Sequence, residues 1–177
     1  MGIAIAALWG FAESTLFFFV PDIWLTRLTI THTLGYAIKA ALYASMAALL
    51  GGTAMILWSY IDADTAYHWV ESVPAISPGM MLSVSEQLEQ NAILAIFSAA
   101  FSGTPYKTLA VQIMHSDASV TLFLLATIPA RLSRFLLTIW LAHRIGNLLR
   151  RWLSETGLLR CWLAFWCSFY IFYFSVI

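Results

Sequence analysis

The chain has 177 residues, of which 61% are hydrophobic and only 10% are charged, whereas a soluble domain is about 45–50% apolar and about 25% charged. This composition excludes an ordinary soluble domain and predicts an all-helical membrane protein, a single domain with room for a few spans of about 20 residues each. Nine basic and nine acidic residues give a formal net charge of zero, so the composition offers no electrostatic support for a nucleic-acid partner.

The first predicted element is a broken helix over residues 2–31. Its first arm is apolar apart from Glu13 and two hydroxyl neighbours. Pro21 then disfavours helix at the residue before it and suits the start of a second, short helix from Asp22. Because that second helix is too short to span a bilayer, we predict a re-entrant hairpin rather than two crossings. A single span that ends at Pro21 is the alternative.

A full transmembrane span is predicted over residues 36–60, which are apolar apart from Lys39. The pair Gly51-Gly52 in its middle permits close helix contact or a gentle kink. Residues 61–90 follow, with five acidic residues and no lysine or arginine. We predict an exposed loop there, with room for a short surface helix near its end.

A second re-entrant hairpin is predicted over residues 91–115. An apolar arm is followed by the break Gly103-Thr104-Pro105 and by a short helix that carries Lys107. The second hairpin therefore repeats the order of elements in the first. Each has an apolar arm, a proline break and a short helix, and each is followed by a full span.

The second full span is predicted over residues 119–143, and a short aromatic span over residues 161–177 ends the chain. The basic connector between them is predicted to be cytoplasmic and the acidic residues 61–90 external, because cytoplasmic loops are rich in Lys and Arg. The hairpins then enter from opposite sides. The predicted fold is therefore two inverted repeats, each a re-entrant hairpin followed by a transmembrane helix, plus a C-terminal transmembrane helix. The basic residues of the connector are Arg144, Arg150, Arg151 and Arg160.

Two arginines near the middle of the second span are the strongest functional signal. Arg131 and Arg134 are three residues apart and share a helix face. A charged side chain at mid-depth costs at least about 2.5–3.5 kcal/mol, so each arginine is expected to face protein, water or an anion. A guanidinium binds phosphate bidentately, which favours a phosphorylated headgroup as the partner. An ion pair with Glu13 or Asp22 is the structural alternative.

Three further charged residues lie at the hairpins. Burial of Glu13 in an apolar arm favours its protonated form, which predicts a proton carrier, with an ion pair to an arginine as the alternative. Asp22 follows Pro21, where a carboxylate either stabilises the helix dipole or takes part in function. Lys107 opposes the dipole at the start of its short helix, so we expect an anion nearby.

Residues at both hairpins and in the second span resemble the signature of the DedA/VTT-domain (SNARE-associated-like) membrane proteins, especially its YqaA-like branch. The resemblance covers about residues 8–148. The chain departs from it at Gly103, where the family has a proline, and near Gln112, where the family has a glycine. The matching residues are Phe11-Ala12-Glu13-Ser14, Val20-Pro21-Asp22, Thr104-Pro105-Tyr106-Lys107, Arg131 and Arg134-Phe135.

The resemblance implies two re-entrant hairpins that face each other and a multi-pass protein of the bacterial inner membrane. It implies that Glu13 and Asp22 take the acidic positions of the hairpins and that Arg131 and Arg134 take the essential basic positions. It also implies the flipping of phospholipids or polyprenyl phosphates, coupled to protons.

The predicted function is transport or flipping of an anionic lipid. Arg131, Arg134, Lys107 and Thr104 are expected to hold its headgroup, while Glu13, with Asp22, cycles a proton. The alternative is a non-transporting membrane scaffold in which the charges pair internally and the aromatic last span docks a partner. That span is free to face lipid or another subunit of a homo-oligomer. Neither an enzyme nor a cofactor or metal is predicted, because no catalytic or metal-ligand spacing is visible.

Overall fold

The computed structural model describes residues 1–176, so that residue 177 of the predicted last span lies outside the described residues. The described chain contains eight α-helices and a 3₁₀ turn at Ile113–His115, and it contains no strand. The helices are α1 (Gly2–Ser14), α2 (Asp22–Thr31), α3 (Leu34–Ile61), α4 (Ala63–Glu71), α5 (Pro78–Ser102), α6 (Tyr106–Gln112), α7 (Val120–Leu149) and α8 (Glu155–Val176).

Within residues 1–176, three helices are long and apolar enough to cross a membrane, namely α3, α7 and α8 over Glu155–Ser175. Their length and composition indicate a membrane protein. They coincide with the three predicted spans, although α7 runs six residues beyond residue 143 and α8 begins six residues before residue 161. The all-helical character of the chain is therefore confirmed.

The acidic segment 61–90 differs from the loop that we predicted, because most of it is helical. Asp62 accepts a hydrogen bond from the Thr65 N–H at the start of α4, and Ser77 caps α5 in the same way. Both are preferred N-cap residues. The two helices bury their apolar faces, with Val70 and Met81 among the buried residues, and their acids remain at the surface.

Helix α5 changes direction at Asn91, whose φ of −167° and ψ of 101° are not helical. The Asn91 side chain accepts a hydrogen bond from the Leu94 N–H at 3.0 Å, so it caps a new helical segment. The kink falls at the residue where the second hairpin was predicted to begin.

The glycine pair of α3 permits close contact with two neighbours. A Cβ atom on Gly51 would lie 2.8 Å from the Phe11 carbonyl oxygen in α1. A Cβ atom on Gly52 would lie 2.7 Å from the ring carbon Cζ of Tyr106 in α6. Because only glycine fits at both places, α1 and α6 can approach the backbone of α3.

Candidate functional site

The two predicted breaks lie close together in the structure. The first is the irregular segment between α1 and α2, and the second is the turn between α5 and α6. The Lys107 ammonium group donates a hydrogen bond to the Phe17 carbonyl oxygen at 2.7 Å, which joins one break to the other. A cavity of about 300 Å³ lies between them.

Each break has a local cause. Pro21 is the N-cap of α2, with a φ of −63° that suits the start of a helix. Gly103 ends α5 in the left-handed conformation at φ +87°, and Pro105 then begins α6. A proline at position 103 could not adopt this φ, because its ring holds φ near about −65°. The departure from the family pattern at Gly103 thus has a conformational reason.

Arg131 and Glu13 form a buried ion pair. The Arg131 Nη2 donates to Glu13 Oε2, and the two residues are only 8% and 5% exposed. The guanidinium carbon lies 5.2 Å from the ring centre of Tyr106 and 5.4 Å from that of Phe135. Rings at this distance stabilise a cation through their π faces. The Arg131 Nε is buried without a hydrogen-bond partner among the described residues.

Arg134 and Asp22 form a second ion pair, with 2.8 Å between Nη2 and Oδ2. Asp22 is buried, whereas 29% of the Arg134 side chain is exposed. The Thr138 hydroxyl lies 3.0 Å from the other carboxylate oxygen of Asp22 and also contacts the Arg134 carbonyl. Asp22 makes no side-chain cap to its own helix. Its carboxylate is therefore directed at α7.

Lys107 is the third cation of the site and is almost completely buried. In the part of the chain that the structure describes, it forms no ion pair. Its hydrogen bond goes to the Phe17 carbonyl. The carboxylates of Glu13 and Asp22 line the same cavity as Lys107, and the expected anion beside Lys107 stays a prediction.

The cavity carries more positive than negative charge. Its lining includes three basic side chains and two acidic ones, so all five in their ionised forms would leave one positive charge in excess. The rest of the lining is mainly apolar. These charged residues are Lys107, Arg131, Arg134, Glu13 and Asp22.

Aromatic residues of α8 cover one side of the cavity. The indole N–H groups of Trp162 and Trp166 both donate to the Thr26 hydroxyl, at 3.0 and 3.1 Å. The Tyr170 hydroxyl accepts a hydrogen bond from the Val20 N–H at 3.2 Å. These bonds attach α8 to α2 and to the first break. The last span is therefore fastened to the protein along one face, whereas its other face remains exposed.

The structure gathers the predicted site residues at this cavity, except Pro21, which positions α2 without lining it. Their functional roles stay predictions. The residues of the predicted set that line the cavity are Glu13, Asp22, Gly103, Thr104, Pro105, Lys107, Arg131 and Arg134.

Sequence reasoning missed several residues that complete the site. Thr138 lies four residues after Arg134 on the same helix face, a spacing that could have identified it. Tyr106 precedes Lys107 and packs beneath Arg131, with its hydroxyl 3.0 Å from Thr127 Oγ1. Tyr106 belongs to the motif Thr104-Pro105-Tyr106-Lys107 quoted above, but no pattern in the sequence indicates its contact with Arg131.

No family model, curated protein or solved structure matches this chain. The resemblance to DedA/VTT-domain proteins therefore depends on the residues quoted above.

Proposed function

We propose that the chain transports or flips an anionic amphiphile across a membrane and that it recognises a phosphate group. The observation that carries this proposal is the cavity where both helix breaks meet, because three cations and only two carboxylates line it. A site with excess positive charge and a mainly apolar wall suits a ligand that has an anionic head and a hydrocarbon tail.

Arg134 is the residue best placed to contact such a headgroup. It is the most exposed of the paired charges, and its contact with Asp22 uses Nη2, one of its three guanidinium nitrogens. Planar guanidinium groups bind phosphate oxygens in pairs. The Nε of Arg131, which has no partner among the described residues, offers a further buried donor, and Lys107 and Thr104 also line the cavity.

The two carboxylates provide a way to couple transport to protons. A phosphate that binds the remaining donors of Arg134 shares its positive charge with Asp22 and weakens that ion pair. A buried carboxylate that loses its cation is stabilised by taking up a proton. Headgroup binding would thus be linked to protonation of Asp22 or Glu13, with release of the proton when the ion pairs re-form.

Two opposed re-entrant hairpins are the arrangement that we propose for the halves of the chain. Helix α1 packs on α3 as α5 packs on α7, and each short helix also packs on the long helix of the other half, α2 on α7 and α6 on α3. The same contacts result when α1, α2 and α3 are exchanged for α5, α6 and α7, as a two-fold repeat requires. This symmetry supports the proposed inverted repeat. We also propose that the chain is a member of the DedA/VTT family, in its YqaA-like branch. In the same proposal, the protein lies in the bacterial inner membrane.

A membrane scaffold is the second candidate function. It is favoured by the fact that both arginines of α7 already have carboxylate partners. It is also favoured by α8, whose apolar stretch is only 6% buried and is free to dock a partner. In a scaffold the ion pairs would hold the helices together and no lipid would move.

Transport can be tested in liposomes that contain the purified protein and a labelled phospholipid or polyprenyl phosphate. We expect the protein to move the label between leaflets faster than protein-free liposomes do. The Glu13→Gln variant should lose this activity, because it cannot exchange a proton at that position. The exposed Glu86→Gln serves as the matched control. Equal rates for the wild type, Glu13→Gln and protein-free liposomes would favour the scaffold.

The inverted repeat predicts that the acidic segment and the basic connector lie on opposite sides of the membrane. Single cysteines near Asp62 and Arg150, in a chain whose native cysteines are replaced, can be labelled with a membrane-impermeant maleimide. We expect labelling of intact cells near Asp62 and protection near Arg150, since the positive connector remains inside. Labelling of both sites from the outside would contradict the inverted arrangement.

A further inference from the structure

We propose that the hydrocarbon chain of the ligand leaves the cavity sideways, through a cleft between α5 and α8. This inference rests on the proposed function, since it concerns the tail of the same anionic amphiphile.

The size of the cavity requires an exit. Its volume of about 300 Å³ is at the lower end of ligand pockets, which range over about 300–1,000 Å³. The space accommodates a headgroup and the first part of a chain. The remainder of a long chain must lie outside the cavity, in contact with apolar surface or lipid.

At the wall between α5 and α8, aromatic residues of α8 that line the cavity are exposed. Phe165 and Phe169 of α8 line the cavity and are nevertheless 61% and 43% exposed, so its mouth lies beside their rings. Ala100 in α5 and Gly103 at its C-terminal end are small residues that line the same cavity. Among the described residues, α8 packs mainly on α2, whereas α5 packs on α6 and α7. The two helices thus border one cavity without packing closely on each other.

The chemistry of this cleft fits a hydrocarbon chain. The aromatic rings of α8 and the small residues at the end of α5 give this part of the cavity lining an apolar surface. The charged side chains line the same cavity, where the buried Lys107 and the partly exposed Arg134 would hold the anionic head. Charge complementarity therefore orients the ligand with its head inward and its tail in the cleft.

Two probes distinguish the tail from the head. Butyl phosphate carries the headgroup chemistry on a tail short enough to stay inside, and hexadecyl phosphate needs the exit. We expect Ala100→Trp, which fills the cleft, to weaken hexadecyl phosphate binding in nanodiscs of uncharged lipid by about tenfold or more, with butyl phosphate binding retained within about twofold. Retained binding of butyl phosphate also shows that the variant is folded. Leu94→Trp, on the exposed surface of α5 away from the cavity, is the matched control and should bind both probes normally.

A photoreactive hexadecyl phosphate with a diazirine in its tail gives an independent measurement on the wild type. We expect cross-links at Phe165 and Phe169, suppressed by excess butyl phosphate. Cross-links that lie elsewhere, or an Ala100→Trp variant that binds both probes like the wild type, would overturn the cleft and leave the proposed function intact. Failure of both probes to bind the wild type would instead overturn the proposed function itself.

Discussion

Arg134→Ala is expected to weaken binding of butyl phosphate to the purified protein by about ten- to a hundredfold, because a hydrogen bond to a charged group is worth about 1.5–3 kcal/mol. Transport of a labelled lipid phosphate should fall with it. The structural reason is the position of Arg134, which is the partly exposed cation at the cavity and keeps donors that Asp22 does not use. Titration calorimetry of the protein in nanodiscs measures the first effect, and the liposome assay measures the second.

Two further variants make this prediction specific. Arg144→Ala is the matched control, since Arg144 lies on the same helix, contacts the ring of Trp140 and does not line the cavity. Arg134→Lys keeps the charge but loses the bidentate geometry, so it should bind phosphate with intermediate affinity. If Arg134→Ala binds butyl phosphate as tightly as Arg144→Ala does, Arg134 does not hold the headgroup.

Glu13→Ala is expected to destabilise the fold by about 3–5 kcal/mol, because removing one member of a buried ion pair leaves the other charge buried and uncompensated. Arg131 has few alternatives, since it is 8% exposed and lies between two aromatic rings. Chemical denaturation in detergent micelles, followed by tryptophan fluorescence, measures the loss. The exposed Glu86→Ala provides the baseline for removing a carboxylate.

The double variant Glu13→Leu with Arg131→Met separates stability from function. Replacing both members of a buried ion pair with apolar residues is often neutral or stabilising. We therefore expect the double variant to recover most of the stability lost in Glu13→Ala and still to lack transport. A double variant that transports lipid like the wild type would show that the pair is only structural. A single variant as stable as Glu86→Ala would contradict the buried pair.

Much of the fold was predictable because its causes are local. The long helices α3, α7 and α8 follow from long apolar stretches, whose length and composition suit a membrane span. The breaks follow from Pro21, Gly103 and Pro105, whose backbone preferences act on their immediate neighbours. The acidic segment was less predictable. Its N-cap residues are local signals for helix, whereas its charges and prolines suggested a loop. The helices α4 and α5 form because each buries one apolar face against the rest of the protein.

The sequence by itself determined the class of protein, the positions of the breaks and the residues whose charges need partners. The cost of an arginine in an apolar span is independent of the fold, so Arg131 and Arg134 were recognisable before any contact was known. Only the tertiary structure decided the partners. Glu13 and Asp22 are each more than a hundred residues from the arginines that they contact, and helix packing brings them together. The same packing places Tyr106 beside Arg131 and aromatic residues of α8 against the cavity, because such contacts depend on the arrangement of all the helices.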